Sequence, residues 1–292
     1  MTARILDGKA IAQEMRAELA SEIEALKSQG MSPGLGVLLV GDNPASRSYV
    51  TGKARACEDV GIYSAETRLP ASASRADILG VVQSFNADDR IHGILVQLPL
   101  PDSAMEQDVI AAIRPDKDVD GFHPVSIGKM MLGLPSFLPC TPHGVLQILK
   151  RSGIPTAGAH VVIVGRSHIV GRPLANLLSQ KNDLGNATVT LCHTRTKDIG
   201  SFTRQADIVV AAAGHPNTIT ADMIRKGAVD AVQEFVRARK GGVDSASPEL
   251  TEITERIAKS GGTPLAVVDG ERVLGVIHLK DVVKGGIRER FQ

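Results

Sequence analysis

A short apolar run followed by two glycines constrains the fold of this chain most. Val161-Val162-Ile163-Val164 are four consecutive β-branched residues, and such a run predicts a strand buried within a parallel sheet. Gly165 then permits a sharp turn into a helix, and Gly171 stands at the predicted start of that helix. A strand, a glycine turn and a helix N-terminus together suit the phosphates of a dinucleotide. The spacing matches neither G-x-G-x-x-G nor the P-loop pattern, so an ordinary β–α turn is an equal alternative.

The same strand and helix alternation runs through the preceding and following segments. Apolar runs predict strands at 35–40, 62–69, 93–98, 161–164, 188–192 and 206–213, with helices at 8–29, 45–60, 75–86 and 142–151, the last capped by Thr141. This order predicts an α/β fold. We expect an N-terminal parallel-sheet catalytic domain over residues 1–140, a truncated Rossmann-like domain over 141–228, and an atypical helix-and-hairpin tail over 229–292.

Composition narrows the classes of partner. The net charge is +1 over 292 residues, which gives no electrostatic reason to expect nucleic acid or an anionic membrane. The cysteines, Cys57, Cys140 and Cys192, contain no C-x-x-C pair, so we expect reduced thiols in a cytoplasmic protein, without disulfides or a metal site. No apolar run approaches the ~20 residues of a membrane span.

Two residues of the second predicted helix are candidates for chemistry. Tyr49 and Lys53 are four residues apart and therefore share one helix face. Their helix follows the carboxyl end of a parallel strand, where ligands bind in open α/β sheets. A partly desolvated lysine at such a place can act as a general acid or base near neutral pH. The alternative is an ordinary solvated surface pair.

Polar residues also follow the third predicted strand. Gln97 interrupts the apolar run 93–98 just before Pro99, and we interpret it as a ligand contact rather than a satisfied core residue. The later loop 115–124 contains three acids, a lysine and a glycine. It is either a solvated surface loop or a turn that directs one carboxylate, Asp120, into a cleft.

The end of the strand 188–192 bears on cofactor choice. An acid at this strand end usually binds the ribose 2′-hydroxyl of NAD, whereas an arginine accommodates the 2′-phosphate of NADP. Here Thr194 and Arg195 follow the strand, and Arg166 lies in the glycine turn. These residues favour NADP, with two surface arginines as the alternative.

Several motifs in order resemble one family. The runs are GDNPASRSYVTGKARACEDVGI, GILVQLPLP, PDKDVDGFHPVSIGKMM, PCTPHGVLQIL, VVIVGRSHIVGRPLANLL and ADIVVAAAGHPNTITADMI. Together they resemble the bifunctional methylenetetrahydrofolate dehydrogenase/cyclohydrolase family over residues 1 to about 229. The resemblance implies NADP-dependent oxidation of 5,10-methylenetetrahydrofolate to the methenyl form and its hydrolysis to 10-formyltetrahydrofolate. It also implies a homodimer.

The resemblance assigns roles to individual residues. It implies that Lys53 is the general acid/base, that Tyr49 stacks on or hydrogen-bonds the folate, that Gln97 supports Lys53 and that Asp120 holds the pterin ring. The implied NADP site comprises Gly165, Arg166, Ser167, Ile169, Val170, Gly171, Arg172, Pro173, Thr194 and Arg195. No metal is implied.

The chain departs from this family after residue 229. Helices are predicted at 230–240 and 249–259, followed by strands at 264–268 and 273–277 joined by an Asp-Gly turn, which is a hairpin signal. Residues from about 224 to 292 resemble part of the nucleotide-binding domain of potassium-importing P-type ATPases, in which Lys226 would contact ATP. The D-K-T-G-T motif is absent, so the tail does not imply transport. An apparent chimera leaves a second possibility, a folate- and NADP-binding protein with impaired or no turnover.

Overall fold

The structure is a computed structural model that describes residues 6–215 and 218–224 and the backbone of two later strands, 263–269 and 272–279. The chain divides into two compact units. One contains Ala10–Cys140, and the other contains the described residues before Ala10 together with those from Thr141 onward. The predicted helices at 230–240 and 249–259 lie outside the described residues, as does Lys226.

Up to Cys140 the chain alternates between strands and helices as predicted. The elements are α1 (Gly8–Ser28), β1 (Gly34–Val40), α2 (Pro44–Val60), β2 (Tyr63–Leu69), α3 (Arg75–Ala87), β3 (Gly93–Val96), a 3-10 turn (Ser103–Met105), α4 (Glu106–Ala112) and α5 (Pro124–Met131). The strands pair in parallel in the order β2-β1-β3. The parallel α/β class is therefore confirmed, although α4 and α5 were not predicted.

The central strand β1 is buried on both faces. Leu38 and Val40 belong to the core that includes residues of α3 and α4, whereas Val37 and Leu39 pack with Val50 of α2. Because successive side chains of a strand point to opposite faces, this alternation requires helices on both sides of the sheet. It explains why the strand reads as a continuous apolar run.

The second unit is a Rossmann-like arrangement. Its elements are α6 (Cys140–Arg151), β4 (His160–Val164), α7 (Gly171–Ser179), β5 (Thr188–Cys192), α8 (Ile199–Thr203), β6 (Ile208–Ala211), a 3-10 turn (Ala221–Met223), β7 (Thr263–Asp269) and β8 (Arg272–Leu279). The sheet order is β5-β4-β6-β7-β8. The first three strands are parallel, and the added strands β7 and β8 are antiparallel. The predicted hairpin is confirmed.

Most element boundaries agree with the sequence prediction to within a residue, and three differences affect its interpretation. Strand β3 ends at Val96, so Gln97 follows the strand instead of lying within it. Strand β6 covers only 208–211 of the predicted 206–213. The helix α6 begins at Cys140, so the prediction of Thr141 as its N-cap was wrong: Thr141 already lies inside the first turn. Element ends depend on local hydrogen bonds that apolar patterning does not encode.

Candidate active site

The loop after β1 fixes the position of α2. Gly41 adopts φ +83°, a left-handed conformation that glycine tolerates without strain. The Asn43 side chain then accepts hydrogen bonds from the backbone N–H groups of Ala45, at 2.9 Å, and Ser46, at 3.2 Å. Pro44 occupies the first helical turn, where its missing N–H costs nothing. These local signals start the helix directly at the carboxyl end of β1.

On this helix Lys53 lies over the ring of Tyr49. The Lys53 Nζ atom is 4.5 Å from the centre of the aromatic ring, a cation–π distance. The predicted sharing of one helix face is therefore realised as a direct contact. The ring of Tyr49 therefore fixes where the ammonium group lies on the surface of α2.

Gln97 lies at the same edge of the sheet, because β3 runs parallel to β1 with Val96 opposite Leu38. Its side chain is buried, at 3% exposure, and its Nε2 donates a hydrogen bond to the Leu98 carbonyl at 2.8 Å. Its Oε1 has no hydrogen-bond partner among the described residues. An unpartnered buried acceptor is costly in a folded protein, so this oxygen is available to a ligand donor.

Asp120 lies in the loop 115–124, and the thiol of Cys140, which is outside this loop, approaches it. The Cys140 thiol donates to the Val119 carbonyl at 3.5 Å and lies 3.8 Å from the Asp120 Oδ1 atom. The approach depends on Gly121, where a Cβ atom would lie 2.6 Å from the Leu138 carbonyl carbon. The loop and the segment before Cys140 are therefore in backbone contact.

The charge around Cys140 connects this loop to Lys53. Desolvation by the surrounding protein atoms and the negative charge of Asp120 raise the pKa of Cys140 to about 11, and the positive charge of Lys53 opposes the rise. Burial raises the pKa of Cys57, again opposed by Lys53. Lys53, Asp120 and Cys140 thus interact electrostatically as one cluster.

Cys140 is the polar member of this cluster that the sequence analysis missed. The sequence indicated only a reduced thiol. Its motif, PCTPHGVLQIL, was visible, but the contact with Asp120 joins residues 20 positions apart. No local pattern reports such a contact.

The glycine turn after β4 is closely packed. A Cβ atom on Gly171 would lie 1.9 Å from the Gly165 carbonyl oxygen, and one on Gly165, whose φ is +130°, would lie 2.2 Å from that of Ala212. Both positions therefore require glycine. The need for two small residues comes from this close backbone packing.

The hydrogen bonds of the turn change the predicted role of the helix N-terminus. The Ser167 Oγ accepts from the N–H groups of Val170 and Gly171 at 3.1 and 3.4 Å, its carbonyl accepts from Arg172 at 3.1 Å, and Pro173 has no N–H. The first amides of α7 are thus already paired. Within the described chain, the N–H groups of residues 166–169 donate no hydrogen bond, including those of Arg166 and Ile169. These four amides, rather than the helix end itself, are therefore the donors of this turn that remain available to an anion.

Arg195 follows the strand next to this turn. Strands β4 and β5 pair in parallel with Val164 opposite Cys192, so Arg166 and the exposed Thr194 and Arg195 all lie beyond the same sheet edge. The Arg195 N–H donates to His193 Nδ1 at 3.1 Å, which shapes the loop. The sequence places no acidic residue between Cys192 and Thr196. The guanidinium groups therefore favour a ligand with an added phosphate.

Among the described residues, no group of three or more His, Cys, Asp or Glu side chains is arranged to hold a metal ion. None of the helices in the described ranges combines the length and apolar character that crossing a bilayer requires.

These features define a class: a two-unit α/β protein with a lysine-centred cluster in one unit and a dinucleotide-type turn in the other. Two family models match the chain, the catalytic domain of tetrahydrofolate dehydrogenase/cyclohydrolase over residues 6–120 and its NAD(P)-binding domain over residues 139–241. The chain belongs to the tetrahydrofolate dehydrogenase/cyclohydrolase family, whose enzymes act in one-carbon folate metabolism.

Relatives and solved structures agree with this assignment. The bifunctional protein FolD of Dehalococcoides mccartyi strain CBDB1 is 57% identical over 230 residues, which are 78% of each chain. FolD of Bacillus subtilis strain 168 is 52% identical over 229 residues, 78% of this chain and 80% of that protein.

Among solved structures, the bifunctional FolD enzyme of Campylobacter jejuni has a TM-score of 0.73 at 46% identity and covers 76% of this chain and 78% of its own. The Trypanosoma brucei enzyme, complexed with NADP and an inhibitor, has a TM-score of 0.72 at 33% identity, covering 77% and 76%.

Proposed function

We propose that this chain oxidises 5,10-methylenetetrahydrofolate with NADP and hydrolyses the methenyl product to 10-formyltetrahydrofolate, with Lys53 as the general acid/base. The observation that carries the proposal is the placement of Lys53 over Tyr49, together with the opposite effects of Lys53 and Asp120 on the pKa of Cys140. An ammonium group held over an aromatic ring is oriented for proton transfer.

The hydrolysis needs one proton acceptor and one donor. Water adds to the methenyl carbon and forms a carbon–oxygen bond, and one proton leaves that oxygen. The bond from this carbon to N5 then breaks while the remaining hydroxyl proton leaves to solvent, so that the oxygen becomes the formyl carbonyl, and N5 takes a proton. Lys53 in its amine form accepts the first proton and, as the ammonium, returns a proton to N5. The free Oε1 of Gln97 is available to accept a hydrogen bond from the lysine or the water.

The remaining residues bind and orient the substrate. Asp120 holds the pterin ring through its carboxylate, and Tyr49 stacks on or hydrogen-bonds the folate. Cys140, kept as a neutral thiol by its raised pKa, lies 3.8 Å from Asp120 without adding a second negative charge. The positioning of a bound ring beside a proton donor supplies much of the rate.

NADP fits the second unit. The donor set of residues 166–169 would hold phosphate oxygens, and Thr194 with Arg166 and Arg195 would hold the 2′-phosphate. When bound, NADP supplies the hydride acceptor of the dehydrogenase step. The tight packing at Gly165 and Gly171 leaves the backbone bare where phosphates must approach.

The test separates the two activities. Dehydrogenase activity is followed by NADPH absorbance with methylenetetrahydrofolate, and cyclohydrolase activity by loss of methenyl absorbance. Lys53→Met should abolish the cyclohydrolase and strongly reduce the dehydrogenase. Arg55→Met, which removes an exposed cation two residues away on the same helix, should change neither. Retention of both activities by Lys53→Met would refute the role of Lys53.

A second candidate function is binding of folate and NADP with impaired or no turnover. It is favoured by the antiparallel strand β7 beside β6, which interrupts the parallel alternation of the unit. Folate binding by calorimetry, with neither activity above background, would support it over the enzyme.

The tail, the compartment and the assembly complete the proposal. We propose that residues from about 224 derive from a nucleotide-binding domain of a potassium-importing P-type ATPase, although the NAD(P)-binding family match runs to residue 241. This origin is tested by sequencing the gene across codons 220–235 and by measuring the mass of the intact expressed protein by mass spectrometry. A cytoplasmic homodimer is the expected working state, and light scattering of the purified chain tests the dimer.

A further inference from the structure

The loop that carries Asp120 begins with a buried lysine. Lys117 is 7% exposed, and its ammonium donates to the carbonyls of Phe85 at 3.1 Å, Asn86 at 3.0 Å and Asp88 at 2.9 Å. An ammonium has three N–H donors, so all of them are satisfied. The acceptors lie at the carboxyl end of α3, where the helix dipole favours a cation.

The backbone of Lys117 continues this anchorage into the sheet. Its carbonyl accepts from the Ile94 N–H at 2.7 Å, and Ile94 and Asp118 form a parallel bridge. Strand β3 therefore meets the start of the loop directly. Lys117 therefore binds the end of α3 through its side chain and β3 through its backbone carbonyl.

The residue after Lys117 closes the loop around Asp120. The buried carboxylate of Asp118 accepts from the N–H groups of Phe122 at 3.3 Å and His123 at 2.9 Å, and its carbonyl accepts from Gly121 at 3.1 Å. Asp120 thus lies within a turn that the hydrogen bonds of Asp118 close. Lys117, the residue before Asp118, holds the start of this turn to α3 and β3.

We propose that Lys117 is a positioning residue for Asp120: its ammonium, bound to the end of α3, sets where the Asp120 carboxylate meets the folate. The inference rests on the proposed function. Lys117 does not touch the substrate and acts through the loop. Three hydrogen bonds to a charged group cannot be replaced by an apolar side chain, so their loss frees the start of the loop.

Steady-state kinetics test this role. Lys117→Met should raise the KM for the folate about tenfold or more and lower kcat, with the KM for NADP unchanged. Arg114→Met is the matched control, because it removes an exposed ion pair with Asp116 at 2.6 Å just before the same loop. It should leave every constant unchanged. If Lys117→Met does not fold, Lys117→Gln, which keeps two donors, replaces it.

A double-mutant cycle separates positioning from general destabilisation. If Lys117 acts through Asp120, Lys117→Met combined with Asp120→Asn should be no slower than Asp120→Asn alone. Multiplied losses, or a wild-type KM for folate in a folded Lys117 variant, would overturn the inference. The proposed function would fail separately, through full activity of Lys53→Met and Asp120→Asn.

Discussion

The Cys140 thiol offers a direct probe of whether Lys53 and Asp120 share one site. The two charges act on its pKa in opposite directions, Asp120 raising it and Lys53 lowering it. Asp120→Asn should therefore lower the pKa of Cys140, and Lys53→Met should raise it further. A contact that merely buried the thiol would give no such pair of opposite shifts.

The size of the effect follows from the pKa. A rise from 9.0 to about 11 makes the thiolate fraction at pH 8 about 100-fold smaller than for an ordinary thiol. A thiolate of higher pKa is intrinsically more nucleophilic, which recovers about tenfold. Alkylation at pH 8 should thus be about tenfold slower than for a free thiol, and its rate should still climb steeply at pH 10, where an ordinary thiol levels off.

The assay is iodoacetamide labelling of the folded protein from pH 7 to 10.5, with Cys140 quantified by peptide mass spectrometry. Cys57 and Cys192 are buried, and their peptides report any unfolding at high pH. At pH 8 Asp120→Asn should label faster than the wild type and Lys53→Met slower. Labelling of the wild type at the rate of a free thiol, or equal rates in the two variants, would refute the cluster.

Two further predictions concern the dinucleotide unit. Gly171→Ala should destabilise the protein by about 1–3 kcal/mol and weaken NADP binding at least tenfold, because the new methyl would lie 1.9 Å from the Gly165 carbonyl oxygen. Denaturant unfolding measures the stability and calorimetry the binding. An unchanged denaturation midpoint would contradict the packing argument. Arg195→Asp should raise the KM for NADP about tenfold or more and lower the ratio of NADP-dependent to NAD-dependent activity, because the charge at the end of β5 reverses. Lys197→Asp, an equal charge change two residues further along an exposed loop, is the control. An unaltered activity ratio in Arg195→Asp would remove Arg195 from the 2′-phosphate site.

Much of the fold could be predicted because each buried parallel strand is a continuous apolar run in the sequence. The apolar run at 161–164 and the strand at 188–192 coincide with β4 and β5 almost residue for residue. The helices α4, α5 and α8 escaped prediction because they are short and lie between turns. The strand ends at Val96 and Ala211 are set by hydrogen bonds to neighbouring strands, which apolar patterning does not record.

In the candidate site, too, contacts within one element could be predicted from the sequence, whereas contacts between distant segments could not. Tyr49 and Lys53 could be paired from spacing alone, since four residues on a helix share a face. The contact of Cys140 with Asp120, and the three carbonyls around Lys117, join segments that are distant in the chain. Ser167 was predicted only as part of a phosphate turn, and its capping of α7 required the actual side-chain oxygen.

The two activities should not suffer equally from the unusual tail. Strand β6 receives β7 in antiparallel pairing, with Ile208 opposite Val267, and Ala212 just after β6 provides the carbonyl that packs against Gly165. We therefore expect the pairing of β7 with β6 to act on the turn after β4 through β6.

The residues proposed for hydrolysis, Lys53, Gln97 and Asp120, all lie in the unit Ala10–Cys140. We therefore expect cyclohydrolase activity to survive while the KM for NADP is raised, so that the ratio of hydrolysis to oxidation exceeds that of the Bacillus subtilis relative assayed in parallel. Equal losses of both activities would contradict this expectation.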